Sequence, residues 1–126
     1  MFKVAFLFAA LSGLMSVGMG AFGAHALRQS LEPRLMNAFE TGVAYQMSHS
    51  LVLLIVCLLA THWGKSLAIQ VSAIAFMLGI LLFSGSLYAL VLTEYKWLGP
   101  VTPIGGLALM VGWLLLLIAV WQNTAF

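Results

Sequence analysis

The chain has 126 residues, of which 63% are hydrophobic and 6% are charged, and its formal net charge is +2. A soluble domain carries about 25% charged residues, so five basic and three acidic side chains cannot form a polar exterior here. The single cysteine, Cys57, excludes an intramolecular disulfide, and no Lys/Arg run points to nucleic acid. The lipid bilayer is therefore the expected surrounding of most of the surface.

Four uncharged apolar runs are long enough to cross a bilayer as helices. They comprise residues 4–26, 42–61, 67–92 and 101–121. A helix needs about 20 residues to cross about 30 Å of hydrocarbon, and no run has the alternating pattern of a membrane β-strand. The sequence predicts an all-α membrane protein, with one transmembrane domain over residues 1–126 folded as a four-helix bundle.

The connection between the first two spans is the most polar segment of the chain. Pro33 suits the first turn of a helix. Asn37, with Glu40 three residues later, is typical of an N-cap with a supporting acid. These residues predict a short interfacial helix that runs into the second span. The second connection, residues 62–66, is short enough for a tight helical hairpin.

Basic residues do not decide the orientation of the bundle. With four spans, both chain ends and the second connection share one side of the membrane, where Lys3 and Lys65 lie. The other side carries Arg28, Arg34 and Lys96. The positive-inside rule compares basic residues near the ends of the spans, and these two counts are nearly equal.

Small residues recur at a spacing of four in three of the spans. This spacing places them on one face of a helix, where they let two helix backbones approach closely in lipid. We interpret them as helix-packing residues, either within the chain or between copies. They are Ser12, Ser16, Gly20 and Ala24 in the first span, Gly85 and Ala89 in the third, and Ala108 and Gly112 in the fourth.

Polar residues concentrate in the half of the membrane next to the first and third connections. Polar groups in hydrocarbon are costly and usually face the bundle interior, where they find partners. Thr41, Tyr45 and His49 recur every four residues and therefore share one face of the second span. The predicted cluster, which either locks helices together or binds a ligand, comprises His25, Glu40, Thr41, Tyr45, Gln46, His49, Ser84, Ser86, Tyr88 and Thr102.

Two residues of this cluster also have simpler local explanations. Thr102, followed by Pro103, is predicted to be the N-cap of the fourth span. Glu40 is interpreted as a helix cap or as the ion-pair partner of Arg28 or Arg34.

His25 and His49 lie on neighbouring spans at a similar predicted depth, and three interpretations are open. In the favoured one, each ring is neutral and hydrogen-bonded and holds neighbouring helices together. In the second, imidazole titration near neutral pH serves a proton relay or a solute site. In the third, the two rings bind a haem or a metal ion, but no further ligand pattern supports this. We predict no cofactor, no metal ligand and no catalytic residue.

Several ordered motifs resemble those of a known family. They are residues 20–27 (GAFGAHAL), 39–42 (FETG), 45–47 (YQM) with His49, 83–88 (FSGSLY), 102–106 (TPIGG) and 112–113 (GW). Together they resemble the YgdD-like family of small inner-membrane proteins over nearly the whole chain. The resemblance implies four membrane helices in the bacterial inner membrane, and no activity, because the family is a domain of unknown function. Ser48 departs from the family, in which tyrosine often precedes the second histidine.

The sequence contains no nucleophile–base–acid set, phosphate loop or nucleotide fingerprint, which argues against an enzyme. The leading hypothesis is a structural or accessory membrane component, acting as a homo-oligomer or as a small partner of a larger membrane complex. The alternative is a small-solute or proton transporter or channel with His25, Glu40, Tyr45 and His49 at its mouth. A haem- or quinone-binding subunit is a third hypothesis. The sequence does not identify a small-molecule ligand.

Overall fold

The computed structural model describes residues 1–125, and these contain helices and no strand. Four helices have the length and apolar composition of membrane spans. They are α1 (Phe2–Leu27), α2 (Pro33–Trp63), α3 (Leu67–Thr93) and α4 (Val101–Gln122). The predicted all-α, four-helix membrane architecture is confirmed.

The helix α2 is longer than the predicted second span because it includes the polar segment before it. Its 31 residues span about 46 Å at 1.5 Å per residue, so its first turns extend beyond the hydrocarbon. The predicted interfacial helix therefore forms the beginning of α2 and is not separate from it. The prediction of Asn37 as an N-cap is wrong, because the helix already begins at Pro33.

Local residues define the starts of α3 and α4. Ser66 caps α3, since its hydroxyl accepts a hydrogen bond from the Ile69 amide at 3.3 Å. A short 3₁₀ turn, Lys96–Leu98, leads into α4. Because α4 begins at Val101, Thr102 lies inside its first turn, and the prediction of Thr102 as an N-cap is wrong.

The helix α1 contains a π-helical turn at Met19–Gly23, close to its end. Two glycines of this turn lie against α2. A β-carbon at Gly20 would lie 3.3 Å from Val43, and one at Gly23 would lie 3.1 Å from the Phe39 ring. The glycines therefore let α1 approach α2 closely at this level.

The helices α2 and α3 form the centre of the bundle, and α1 and α4 flank them. In the most apolar stretch of each span, 39% of α2 and 44% of α3 is buried, against 22% of α1 and of the span that contains α4. The helix α1 packs mainly on α2, and α4 packs on α3. All four helices contribute to one apolar core, whose largest fully buried side chains include Leu53, Val56, Ile69 and Phe76.

Glycines allow the close approach of α3 and α4. A β-carbon at Gly105 would collide with the backbone of Phe83, and one at Gly79 would collide with Leu109. Gly112 lies against the Phe76 ring, 2.8 Å from an added β-carbon. The spacing of four that suggested Gly112 does not include Gly79 or Gly105. The close contact of α3 and α4 therefore depends on residues without a β-carbon.

We expect Gly105→Ala to destabilise the protein by about 1–3 kcal/mol, the typical cost of overpacking, because its β-carbon would meet the α3 backbone. The matched control is Gly13→Ala, where no atom lies within 4 Å of an added β-carbon. Alanine favours a helix over glycine by about 1 kcal/mol, so this control should be as stable as the wild type or more so. Thermal unfolding in detergent, followed by circular dichroism, measures both variants. Equal stability of the two would contradict the close α3–α4 contact.

Candidate functional site

Gln46 forms hydrogen bonds that join three helices. Its Nε2 donates to the carbonyl oxygen of Ser12 in α1 at 3.0 Å. Its Oε1 accepts from the hydroxyl of Tyr88 in α3 at 2.6 Å. The Gln46 side chain is only 5% exposed. One buried amide therefore holds α1, α2 and α3 in a fixed relation.

Buried serines continue this network towards α1. The Ser50 and Ser12 hydroxyls are hydrogen-bonded to each other at 2.7 Å, and the Ser50 oxygen lies 2.6 Å from the carbonyl oxygen of Gln46. The Ser16 hydroxyl donates to the carbonyl oxygen of Ser12 at 3.0 Å. Ser12 and Ser16, which the sequence suggested only as small packing residues, are thus also hydrogen-bonding residues.

Three other serines link α3 to the helices on either side of it. The Ser84 hydroxyl donates to the carbonyl oxygen of Gly42 at 2.7 Å, which joins α3 to α2. Two bonds join α3 to α4: Ser72 donates to the carbonyl oxygen of Gly112 at 2.8 Å, and the Ser86 and Thr102 hydroxyls lie 2.6 Å apart. The bond of Ser72 lies in the membrane half that the sequence indicated as plain hydrocarbon. Ser72 is an isolated serine between apolar residues, and no sequence pattern indicated its hydrogen bond to α4.

Both ring nitrogens of His49 have partners. Its Nδ1 lies 2.8 Å from the carbonyl oxygen of Tyr45, and the indole Nε1 of Trp113 lies 3.1 Å from its Nε2. A carbonyl can only accept and an indole N–H can only donate. The proton of His49 therefore lies on Nδ1, and Nε2 accepts from Trp113. The ring is 8% exposed and joins α2 to α4.

Aromatic rings surround His49 and pack across three helices. The rings of Tyr45 and Phe83 stack with their centroids 4.4 Å apart. Phe76 lies 5.9 Å from the His49 ring and perpendicular to Trp113 at 5.6 Å. Such ring pairs add about 0.5–1.5 kcal/mol beyond burial. His49 is thus part of a packed aromatic group as well as a hydrogen-bonded one.

The outer residues of the predicted cluster do not join this network. His25 and Thr41 are exposed, and among residues 1–125 neither side chain has a hydrogen bond to the network. Glu40 pairs with Arg28 at 3.3 Å, one of the expected alternatives, with side-chain exposures of 46% and 67%. An ion pair this exposed contributes about 0–1 kcal/mol. His25 and His49 therefore do not form a pair.

The network is complete within the chain. Among residues 1–125, every buried side-chain nitrogen or oxygen has a hydrogen-bond partner. The same residues contain no group of three or more His, Cys, Asp or Glu side chains that could hold a metal ion. The arrangement fixes helices, and no buried polar group in the described part of the chain needs a ligand to complete its hydrogen bonds.

A lateral groove of about 140 Å³ lies between α1 and α3, and Gln46 is part of its lining. Its polar residues are turned into the network, so its surface is almost entirely hydrocarbon. An added β-carbon at Gly85 would have no atom within 4 Å, so this glycine leaves the groove open. The groove is lined by Phe8, Leu11, Ser12, Met15, Gln46, Ile80, Leu81, Ser84, Gly85 and Tyr88.

Residues 19–106, which include every residue of the predicted polar cluster, match a family described as a protein of unknown function, DUF423. The chain belongs to this family. A UPF0382 membrane protein of Staphylococcus aureus is 40% identical over 120 residues, which cover 95% of this chain and 97% of the relative. The UPF0382 membrane protein YwdK of Bacillus subtilis is 38% identical over 117 residues, covering 93% and 95%.

A UPF0382 membrane protein of Haemophilus influenzae is 42% identical over 105 residues, which cover 83% of each chain. No solved structure matches this chain. These bacterial relatives are named as membrane proteins without an activity. Together with the four apolar helices, they show that this DUF423 chain is a small multi-pass protein of the bacterial cell membrane.

Replacing Gln46 by leucine is expected to destabilise the protein by about 1–2 kcal/mol, because hydrogen bonds inside membranes average about 0.6 kcal/mol and this change breaks two of them. Tyr88→Phe removes one bond and should cost about 0.6 kcal/mol. The double variant should lose less stability than the sum of the two single losses. Gln46→Leu leaves the Tyr88 hydroxyl without a partner, and Tyr88→Phe removes that hydroxyl. Reversible unfolding in detergent measures all three. Additive losses would show that Gln46 and Tyr88 do not interact.

The tautomer of the His49 ring gives a second test. In ¹⁵N NMR spectra of histidine-labelled protein in micelles, we expect the Nδ1-protonated tautomer for His49. Trp113→Phe should shift the Nε2 resonance, because this nitrogen loses its N–H donor. Exposed His25 is an internal control that should not change. A proton on Nε2 of His49 in the wild type would contradict the bond from Trp113.

Proposed function

We propose that this protein is a structural or accessory component of the membrane, which associates side to side with copies of itself or with a larger membrane complex. The proposal is carried by one observation: the buried polar side chains of residues 1–125 all find partners within the chain. A buried polar group in hydrocarbon needs a partner, and here the partners lie on neighbouring helices of the same chain. The polar network thus supports a role in holding the helices.

The lateral surface supports association in the bilayer. Between helices in lipid, close packing and hydrogen bonds drive association, and residues without bulky side chains allow close approach. Gly85 offers such a position on the outside of the bundle, within the groove between α1 and α3. A helix of a neighbouring chain could reach the α3 backbone there.

The transport and haem alternatives have less support. Both nitrogens of His49 are bonded to Tyr45 and Trp113, so the ring offers no free nitrogen for a relay or an iron. His25 and Glu40 are exposed at the edge of the bundle and do not continue the network inward. These positions favour helix locking as the role of the inner polar residues.

Two finer inferences accompany the proposal. We infer that the chain has no catalytic site, because the one buried histidine among residues 1–125 is bonded on both nitrogens and lies in an aromatic group. We infer also that it belongs to the YgdD-like group, an assignment that rests on the motif residues alone. The family itself is described only as one of unknown function.

Counting copies in membranes tests the proposal. Fluorescently labelled protein in liposomes at low density should show more than one photobleaching step per assembly. Gly85→Leu should weaken this association at least several-fold, because its β-carbon would meet no atom within 4 Å and the rest of the side chain would occupy space in the groove. Gly13→Leu is the matched control, since Gly13 also has open space above it but does not line the groove. Its association should equal that of the wild type.

Two results would count against the proposal. Equal association of both glycine variants would remove the α1–α3 groove as the contact. A wild-type protein that is monomeric at all lipid ratios, and that purifies from its native membrane without a stoichiometric partner, would contradict both forms of the proposed function.

A further inference from the structure

The charged side chains are unevenly divided between the two ends of the bundle. All three acids, Glu32, Glu40 and Glu94, lie in or next to the first and third connections, together with three basic residues. Lys3 and Lys65 lie at the opposite end, which we call the hairpin end because it contains the α2–α3 connection. The side-chain charges cancel at the first end. The net charge of +2 therefore lies at the hairpin end.

An apolar groove opens at the hairpin end, between the beginning of α1 and the end of α2. Its volume is about 280 Å³, and its lining residues are Phe2, Lys3, Phe6, Leu7, Cys57 and Thr61. Lys3 is exposed. Within residues 1–125 the one ion pair, Arg28–Glu40, lies at the other end. Among the described residues, Lys3 thus places a positive charge without an ion-pair partner beside an apolar groove.

We propose that this groove binds an anionic phospholipid, with the lipid phosphate at Lys3 and an acyl chain along Phe6 and Leu7. The lysine ammonium is a compact positive charge with three N–H donors, which suits phosphate oxygens. Basic groups beside apolar clefts at membrane-helix ends bind acidic lipid head groups. The hairpin end has no acidic side chain that would repel such a head group.

Because the walls of the groove are apolar, a lipid fits it better than a free phosphate ion does. The groove opens laterally between two membrane helices, where acyl chains are the surrounding medium. A zwitterionic lipid would bring its own cation close to Lys3, which costs electrostatic energy that an anionic lipid avoids. The inference concerns a different groove from the α1–α3 contact and does not depend on the proposed function.

Native mass spectrometry of protein released from nanodiscs tests this proposal. With equal phosphatidylglycerol and phosphatidylcholine, the wild type should retain the anionic lipid in about fivefold preference, the effect of one lysine near an anionic surface. Lys3→Gln should abolish the preference and Lys3→Arg should keep it. Lys65→Gln is the matched control, because it removes the same charge from the same end outside the groove lining. Leu7→Trp, at an exposed wall position, should lower lipid retention.

Three outcomes would overturn the proposal. The first is equal retention of the two lipids by the wild type. The second is an equal loss of preference in Lys3→Gln and Lys65→Gln, which would show a general surface-charge effect. The third is displacement of the lipid by excess inorganic phosphate, which would show a head-group site without an acyl chain. Before lipids are compared, circular dichroism is used to check that each variant retains its helices.

Discussion

A polar side chain inside hydrocarbon must find its partner within the protein, and Gln46 shows what this requirement does to the fold. Its amide lies between Ser12 of α1 and Tyr88 of α3, and both ends of the amide are bonded. Leaving such a group unpaired in an apolar medium is unfavourable. A shift of either neighbouring helix would break one of these bonds. Gln46 therefore fixes α1 and α3 about α2, together with the Ser12–Ser50 and Ser84–Gly42 hydrogen bonds.

The helix α4 is held by a different combination of forces. Its buried positions include Gly105, Leu109 and Gly112, so backbone and apolar surfaces of α3 and α4 come into direct contact. Dispersion is summed over many such contacts and requires close approach. Hydrogen bonds from Ser72 to Gly112 and from Trp113 to His49 then fix the depth of α4 in the bundle. Packing gives proximity, and these bonds give register.

Sequence reasoning predicts the spans well, because the medium alone requires long apolar helices. It predicts less well which polar residues meet. The spacing along α1 does not show the π turn at Met19–Gly23, which changes the direction of the residues after it, His25 among them. The bond between His49 and Trp113 joins residues 64 positions apart, and no local pattern indicates it. The starts of α2 and α3 are defined locally by Pro33 and Ser66. Neighbouring residues such as Asn37 carry similar start signals, so the sequence alone does not select between them.

With the buried polar groups satisfied, the lateral surface and the two ends are what the bundle presents to other molecules. The helix α1 contributes to both grooves: Phe8, Leu11 and Met15 line the one towards α3, and Phe6 and Leu7 line the one at the hairpin end. It is also less buried than α2 and α3. A flanking helix fixed by Gln46 and exposed along its length can hold a contact surface in place without internal movement. We therefore expect variation on the outer face of α1 to change association more than it changes folding.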